Sequence, residues 1–300
     1  MIEIENLTKY FGALCAVNHI SFTIPNGSFF GLLGTNGAGK STLLKILSGI
    51  LTADEGTVKI DAKQSCSSPA FKQNFFYLPD DPYYFPNASL ETMIQFYKQQ
   101  YPSLDTDAVS YMADSLNLDI QLPLRTFSKG MKRQAFLLLA LNAGTKYLFC
   151  DEVFDGLDPL VTELMKNLFL QEMKCRDFTV IVASHKLDDL QDICQNISIL
   201  HKGGLVTSAD LTQNLTDIHK IQCVFSDASA VEELQKEPPV IRCQTDGYFT
   251  TLLVRGESSA IHRLIREKDP VFSANVALTL EELFMIQMEE NGYDIRKTLL

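Results

Sequence analysis

Gly34-Thr35-Asn36-Gly37-Ala38-Gly39-Lys40-Ser41 fits the pattern GxxxxGK[ST], in which a glycine-rich loop wraps its backbone N–H groups around phosphates. The apolar run Phe29–Leu33 precedes this loop and is typical of a buried strand, whereas Thr42–Ile50 follows it and is predicted to be a helix. The pattern predicts that Lys40 reaches the β- and γ-phosphates and that the Ser41 hydroxyl contacts Mg²⁺. A strand, a loop and a helix in this order predict an α/β domain that binds a nucleotide at the helix N-terminus.

A second apolar run, Tyr147–Cys150, ends in two acidic residues, Asp151 and Glu152. An ionised carboxylate at the end of a buried strand is costly unless a cation lies close to it. Asp151 is therefore suited to hold Mg²⁺, usually through water, and Glu152 would then polarise the attacking water. Two acids at a strand end are also common where a strand simply reaches solvent, so this interpretation depends on the phosphate loop.

Strands alternate with helices along most of the chain, which indicates an α/β fold with a mainly parallel sheet. The predicted core strands are Phe75–Leu78, Tyr147–Cys150, Phe178–Ala183 and Ile197–Leu200. Ile2, Ile4, Ile20, Phe22 and Ile24 alternate with polar residues, as half-buried strands do. Residues of about 85–142 form a helical insertion, with helices predicted at Leu90–Gln100, Asp105–Asn117 and Lys129–Asn142.

The pattern restarts after about Thr212. Apolar runs at Ile221–Phe225, Val240–Cys243 and Phe249–Val254 are interleaved with helical stretches, which predicts a small α+β appendage. The expected domains are therefore a nucleotide-binding domain over residues 1–215 and an accessory α+β domain over residues 216–300.

Composition limits the classes of function. The 300 residues carry a formal net charge of −11, which argues against a broad nucleic-acid surface, and no nucleic-acid partner is expected. No apolar run reaches the length of a membrane-spanning helix, and the opening Met1–Glu5 carries acids unlike a signal peptide. The seven cysteines lack a CxxC spacing, which favours reduced thiols in the cytosol. If the protein serves a membrane, we expect it to dock from outside.

Three further motifs make the chain resemble the ATP-binding cassette (ABC) subunits of transporters over residues 1–215. The family signature LSGGQ appears as Phe127-Ser128-Lys129-Gly130-Met131, upstream of the acidic strand. Gly156-Leu157-Asp158-Pro159 matches the D-loop, and Ser184-His185 matches the switch histidine after a strand. The resemblance implies a P-loop core flanked by an antiparallel β-subdomain and a helical subdomain.

The resemblance also implies ATP and Mg²⁺ as cofactors and a dimer that sandwiches two ATP molecules. Ser128 and the Gly130 amide would bind the γ-phosphate held by a second cassette, identical or not, and Ser128 would also cap its helix. Asp158 would lie at the dimer interface, and His185 would contact the γ-phosphate. Glu152, with His185, would then be catalytic.

An aromatic residue is expected to stack on adenine; Phe11 matches best, and Tyr10 is the alternative. Two positions depart from the family pattern. Asp80 stands where the family has Gln, and could still act at the attacking water or meet Mg²⁺ or its water shell. Lys129 replaces a signature glycine, and either approaches the partner's nucleotide or points to solvent.

The resemblance favours an ATPase subunit that powers a separate integral membrane permease, bound to the cytoplasmic face of the cell membrane. The Ser-Lys-Gly-Met form of the signature, Ser128–Met131, resembles cassettes of multi-spanning efflux systems and points to export. The permease is expected to dock near Asp80–Gln100. The alternative is a soluble mechanical ATPase of the same superfamily, or a regulator, not tied to transport.

Overall fold

The structure, a computed structural model, describes residues 1–64, 72–210 and 217–278 together with Glu282 and Ile286. The chain divides into two compact units, residues 1–209 and residues 210–300. The boundary predicted between residues 215 and 216 falls outside the described residues, so its position stays a prediction.

A six-stranded sheet forms the centre of the first unit, in the order β10-β9-β3-β8-β7-β6. Its strands are β3 (Phe29–Gly34), β6 (Phe75–Leu78), β7 (Tyr147–Asp151), β8 (Thr179–Ser184), β9 (Asn196–His201) and β10 (Gly204–Asp210). The pairs that β3 makes with β8 and β9, and β7 with β6 and β8, are parallel. Every residue of β3, β7 and β8 is buried, as expected for parallel strands covered on both faces.

A second, antiparallel sheet has the order β2-β1-β4-β5. It comprises β1 (Ile2–Phe11), β2 (Leu14–Ile24), β4 (Glu55–Ile60) and β5 (Lys63–Gln64). The alternating apolar residues of β1 and β2 join the hydrophobic cluster that also contains the buried leucines of the phosphate-loop helix. The predicted α/β fold with an antiparallel β-subdomain is thus confirmed.

Five named α-helices of the described residues belong to the first unit. They are α1 (Lys40–Leu47), α2 (Leu90–Gln100), α3 (Thr106–Ser115), α4 (Lys129–Asn142) and α5 (Pro159–Cys175). Side chains of Ser89, Asp105 and Ser128 cap α2, α3 and α4 by accepting a hydrogen bond from a first-turn amide. These three helices form the predicted helical insertion, and the bounds of α2 and α4 agree with the sequence prediction.

The phosphate-loop helix differs from its prediction at both ends. We expected it to begin at Thr42, but it begins at Lys40, because the Leu43 amide already donates to the Gly39 carbonyl at 2.9 Å. It ends at Leu47 rather than Ile50, because the Gly49 amide turns back onto the Ile46 carbonyl at 3.0 Å. At both ends, a glycine (Gly39 or Gly49) makes the backbone hydrogen bond that sets the limit of the helix.

The second unit contains an antiparallel sheet of order β12-β13-β11-β14. Its elements are β11 (Ile218–Val224), α6 (Ala228–Leu234), β12 (Val240–Asp246), β13 (Phe249–Arg255), α7 (Ser258–Arg266) and β14 (Phe272–Val276). Ile221, Leu252, Ile261 and Ile265 belong to its separate buried core. In residues 1–64, 72–210 and 217–278, no helix has both the length and the hydropathy needed to cross a membrane.

Candidate nucleotide-binding site

A cleft of about 540 Å³ lies at the phosphate loop, a volume within the range of small-molecule sites. It is lined by Phe11, Leu14, Cys15, Ala16, Asn36, Gly37, Ala38, Gly39, Lys40, Ser41, Thr42, Asp80, Asp151, Glu152 and Lys202. Thus the loop from Asn36 onward, the two acids at the end of β7 and the predicted aromatic residue meet at one place. Lys202, which follows β9, was not predicted from the sequence, because only the pairing of β9 with β3 brings it here.

The loop is shaped by close backbone approaches. Gly39 has a φ of 99°, and a Cβ at that position would lie 2.3 Å from the carbonyl oxygen of Ala16, so a side chain cannot be accommodated. Lys40 is buried, and its ammonium donates to the carbonyl oxygens of Gly34 at 2.7 Å and Thr35 at 3.3 Å. The fold therefore holds this cation beside the N-terminus of α1. Both the lysine charge and the helix N-terminus favour an anion at this place.

Asp151 has the properties of a cation ligand. Only 5% of it is exposed, and its Oδ1 atom accepts no hydrogen bond within the described residues. Burial raises the pKa of this carboxyl, and the Glu152 carboxylate adds to that effect, whereas a hydrogen bond from Ser41 and the charge of Lys40 oppose it. A buried acceptor without a donor, next to a serine hydroxyl, is an all-oxygen set that suits Mg²⁺.

Glu152 joins two of the predicted functional residues. Its Oε1 lies 3.3 Å from the Lys40 ammonium, and its Oε2 lies 2.8 Å from His185 Nδ1. Glu152 adopts a φ of 51°, an uncommon backbone conformation for a residue other than glycine. The end of β7, the phosphate loop and the residue after β8 therefore converge on one carboxylate.

The two aromatic candidates differ in their placement. Both are exposed, but Phe11 lines the cleft, whereas Tyr10 is not among its lining residues. The Lys9 ammonium lies 5.7 Å from the centre of the Phe11 ring. The geometry therefore favours Phe11 as the residue that would stack on a base, which stays a prediction.

The signature and D-loop residues have local partners in this chain. Ser128 Oγ accepts from the Met131 amide at 3.1 Å, and Asp158 Oδ1 accepts from the Val161 amide at 3.0 Å, so both cap helices. Ser128, Gly130 and Asp158 are not among the described residues that line the cleft. If these residues contact a nucleotide as predicted, that nucleotide must be bound in the cleft of a second chain.

The two departures from the family pattern are explained by ion pairs. Asp80 lines the cleft, but its carboxylate is paired with the buried guanidinium of Arg133 on α4. The Lys129 side chain is 63% exposed, and its ammonium lies 3.1 Å from Asp155 Oδ2. Arg133 and Asp155 were missed by the sequence analysis, and no local pattern marks them.

Comparison with known proteins gives consistent matches. A family profile described as ABC transporter matches residues 17–155. The ABC transporter ATP-binding protein YtrB of Bacillus subtilis is 27% identical over 285 residues, which cover 95% of this chain and 97% of YtrB. The probable multidrug ABC transporter ATP-binding protein YbhF of Escherichia coli K12 is 31% identical over 221 residues, covering 69% of this chain and 37% of YbhF.

The fold also matches a solved structure, a dimeric ATP-binding cassette in a post-hydrolysis state with ADP and phosphate. The TM-score is 0.63 at 19% identity, and the match covers 70% of this chain and 99% of that one. At this identity the match concerns the fold alone. Because the family profile spans the phosphate loop and both cleft acids, and YtrB aligns along nearly the whole length, the chain belongs to the ABC transporter family, as an ATP-binding subunit that hydrolyses ATP.

Proposed function

We propose that this ATPase subunit powers an export system whose membrane-spanning subunit is a separate polypeptide. The observation that supports ATP-driven work is the convergence of Lys40, Glu152 and His185 at the phosphate-loop cleft. Export is supported by the Ser-Lys-Gly-Met form of the signature, Ser128–Met131, and by the similarity to a relative described as a probable multidrug transporter.

Each cleft residue has a role in this proposal. The loop amides and Lys40 bind the phosphates, Phe11 stacks on the base, and Glu152 accepts a hydrogen bond from the attacking water and removes its proton. His185 orients Glu152 and the γ-phosphate. Ser41 and Asp151 would hold Mg²⁺, which when bound supplies positive charge that offsets the charge of the phosphates.

The active form is proposed to be a dimer of two cassettes. Ser128, Gly130 and Asp158 lie outside the cleft of their own chain, so a head-to-tail pair would bring them to the ATP of the partner. The solved cassette that shares this fold is itself dimeric.

The proposed permease contact is an aromatic patch, defined as Tyr83, Phe85 and Phe96. The Phe85 ring centre lies 5.7 Å from that of Tyr83 and 5.0 Å from that of Phe96. All three are exposed, Tyr83 by 71%, within the region where docking was expected. An apolar cluster on the surface fits a partner helix and favours a location at the cytoplasmic face of the membrane.

The experiment compares Phe85→Asp/Phe96→Asp with Tyr111→Asp, which charges an exposed tyrosine outside the patch, on α3 of the same insertion. Tagged chains are purified from detergent-solubilised membranes of the native host, and bound integral membrane proteins are identified by mass spectrometry. The patch variant should lose the permease and keep ATP binding, while the control should keep both. Recovery of the wild type with ribosomes or DNA, and with no membrane protein, would favour the soluble ATPase instead.

Direction of transport is tested in inside-out membrane vesicles that contain the complex. Addition of ATP should drive uptake of fluorescent drug cations or membrane-active peptides into the vesicles, and Glu152→Gln should abolish it. ATP-dependent uptake in right-side-out vesicles loaded with ATP would contradict export.

A further inference from the structure

Arg133 connects two loops that frame the cleft. Its side chain is only 3% exposed, although it lies in the first two turns of α4. Nη2 pairs with the Asp80 carboxylate and donates to the Asp80 carbonyl oxygen at 2.9 Å. Nη1 lies 3.7 Å from Asp155 Oδ2, which is an ion pair without a hydrogen bond. One guanidinium therefore bridges the loop after β6 and the loop after β7.

Asp155 extends this connection to the loop that carries the switch histidine. Besides Arg133, it contacts Lys129 at 3.1 Å and Lys186 at 3.0 Å. These two lysines lower the pKa of Asp155 to about 2, so the carboxylate stays charged at neutral pH. Lys186 directly follows His185, and Asp155 lies three residues after Glu152. The network, defined as Asp80, Lys129, Arg133, Asp155 and Lys186, thus reaches both predicted catalytic residues through the backbone.

Backbone packing supports the same connection. A Cβ at Gly130 would lie 3.0 Å from the Gly156 carbonyl oxygen, so the first turn of α4 already approaches the loop after β7 closely. A buried guanidinium needs its carboxylates, because removing one partner leaves an uncompensated charge. The planar fork of arginine can also engage two acceptors at once, which an ammonium cannot do with the same geometry.

We propose that Arg133 is a positioning residue of the ATPase, which holds the Asp80 loop and the Asp155 loop against α4 so that Glu152 and His185 keep their geometry at the cleft. Asp80 accordingly serves as the partner of Arg133 rather than as a group acting on water or metal. Arg133 is not among the residues that line the cleft, so its loss should slow turnover without weakening ATP binding. The inference rests on the ATPase site of the proposed function.

The test is a double-mutant cycle in the full-length chain with Arg133→Gln, Asp80→Gln and both together. Each single variant should lower kcat by about tenfold with KM for Mg-ATP within about threefold of wild type. The double variant should lose no more than Arg133→Gln alone, because the two residues act as one unit. Arg133→Lys should retain an intermediate kcat, since it keeps the charge but pairs with fewer acceptors.

Glu172→Gln is the matched control, because it breaks another arginine–carboxylate pair, Arg176 Nε to Glu172 Oε2 at 2.8 Å, on α5. It should leave kcat unchanged, and thermal unfolding of every variant shows which ones remain folded. If Arg133→Gln does not fold, the inference is tested by comparing the kcat of Arg133→Lys with that of the wild type. A kcat equal to that of the wild type would then contradict it.

Three results would overturn the inference. These are a wild-type kcat in Arg133→Gln, losses that multiply in the double variant, or a shift of the Mg²⁺ dependence in Asp80→Gln that is absent in Arg133→Gln. The last would make Asp80 a group acting at the metal. Failure of the wild-type chain to bind ATP by calorimetry would instead refute the proposed function.

Discussion

At the residue scale, the buried ammonium of Lys40 has three neighbours, the Gly34 and Thr35 carbonyls and the Glu152 carboxylate. Lys40→Ala removes the cation from the β- and γ-phosphate site, so ATP affinity should fall by about tenfold or more, or about 1.4 kcal/mol. Isothermal calorimetry with Mg-ATP measures the change. Lys59→Ala, which removes a half-buried lysine of β4 paired with Glu5, is the control and should bind ATP normally. Unchanged affinity in Lys40→Ala would contradict the assignment of the loop.

Replacement of Glu152 should impair ATP hydrolysis without impairing ATP binding. Glu152→Gln keeps the size and hydrogen bonding of the side chain but cannot accept a proton, so kcat should fall by about 100-fold or more. ATP binding should persist, and ATP should then accumulate in a dimer visible by size-exclusion chromatography. If turnover stays near that of the wild type, another carboxylate, Asp151 or Asp80, must act on the water.

At the element scale, the N-termini of α3 and α5 provide a matched pair. Asp105 accepts from the Ala108 amide at 2.9 Å and Asp158 from the Val161 amide at 3.0 Å. Replacing either cap by Ala should lower the free energy of unfolding by about 1 kcal/mol, measured by chemical denaturation. Only Asp158→Ala should also reduce ATPase activity, because Asp158 is proposed to lie at the dimer interface. Equal ATPase activity in the two variants would mean that Asp158 only caps α5 and has no role at a dimer interface.

At the scale of the whole molecule, Ser128 and Gly130 are not among the described residues that line the cleft of their own chain, and they are proposed to act at the ATP of a second chain. A heterodimer of Lys40→Ala with Ser128→Arg would have one composite site with both lesions and one intact site. Heterodimers purified through two different tags should therefore recover about half of the wild-type activity, whereas each parent homodimer should be inactive.

The control for this experiment is a heterodimer of wild type with the double variant Lys40→Ala/Ser128→Arg, in which both composite sites are damaged. It should have no activity. Activity in this control, together with an inactive heterodimer of Lys40→Ala with Ser128→Arg, would mean that each chain uses its own signature. Full activity from a chain shown to be monomeric in ATP would have the same meaning.

Much of the fold could be predicted because its determinants are local. The bounds of α2 and α4 follow from serine caps and from the periodicity of their apolar residues, which are read directly from neighbouring positions. The buried strands β3, β7 and β8 are short apolar runs, and the loop between β3 and α1 has a spacing that phosphate binding demands. In the second unit, the sequence analysis missed β14, whose apolar residues alternate with Ser273 and Asn275 over only five positions and are mostly exposed.

The sequence by itself therefore determined the nucleotide loop, the two acids at the end of β7, the helical insertion and the family. Only the tertiary structure decided which charges meet. In the sequence, Arg133 is one of several basic residues at the start of α4, with Lys129 and Lys132. Its burial against Asp80, 53 positions earlier, depends on how α4 packs beside the sheet. Likewise, Asp155 and Lys186 are 31 positions apart and meet because β7 and β8 are adjacent. Ion pairs between distant positions carry no local periodicity or spacing, since sheet order and helix packing create them.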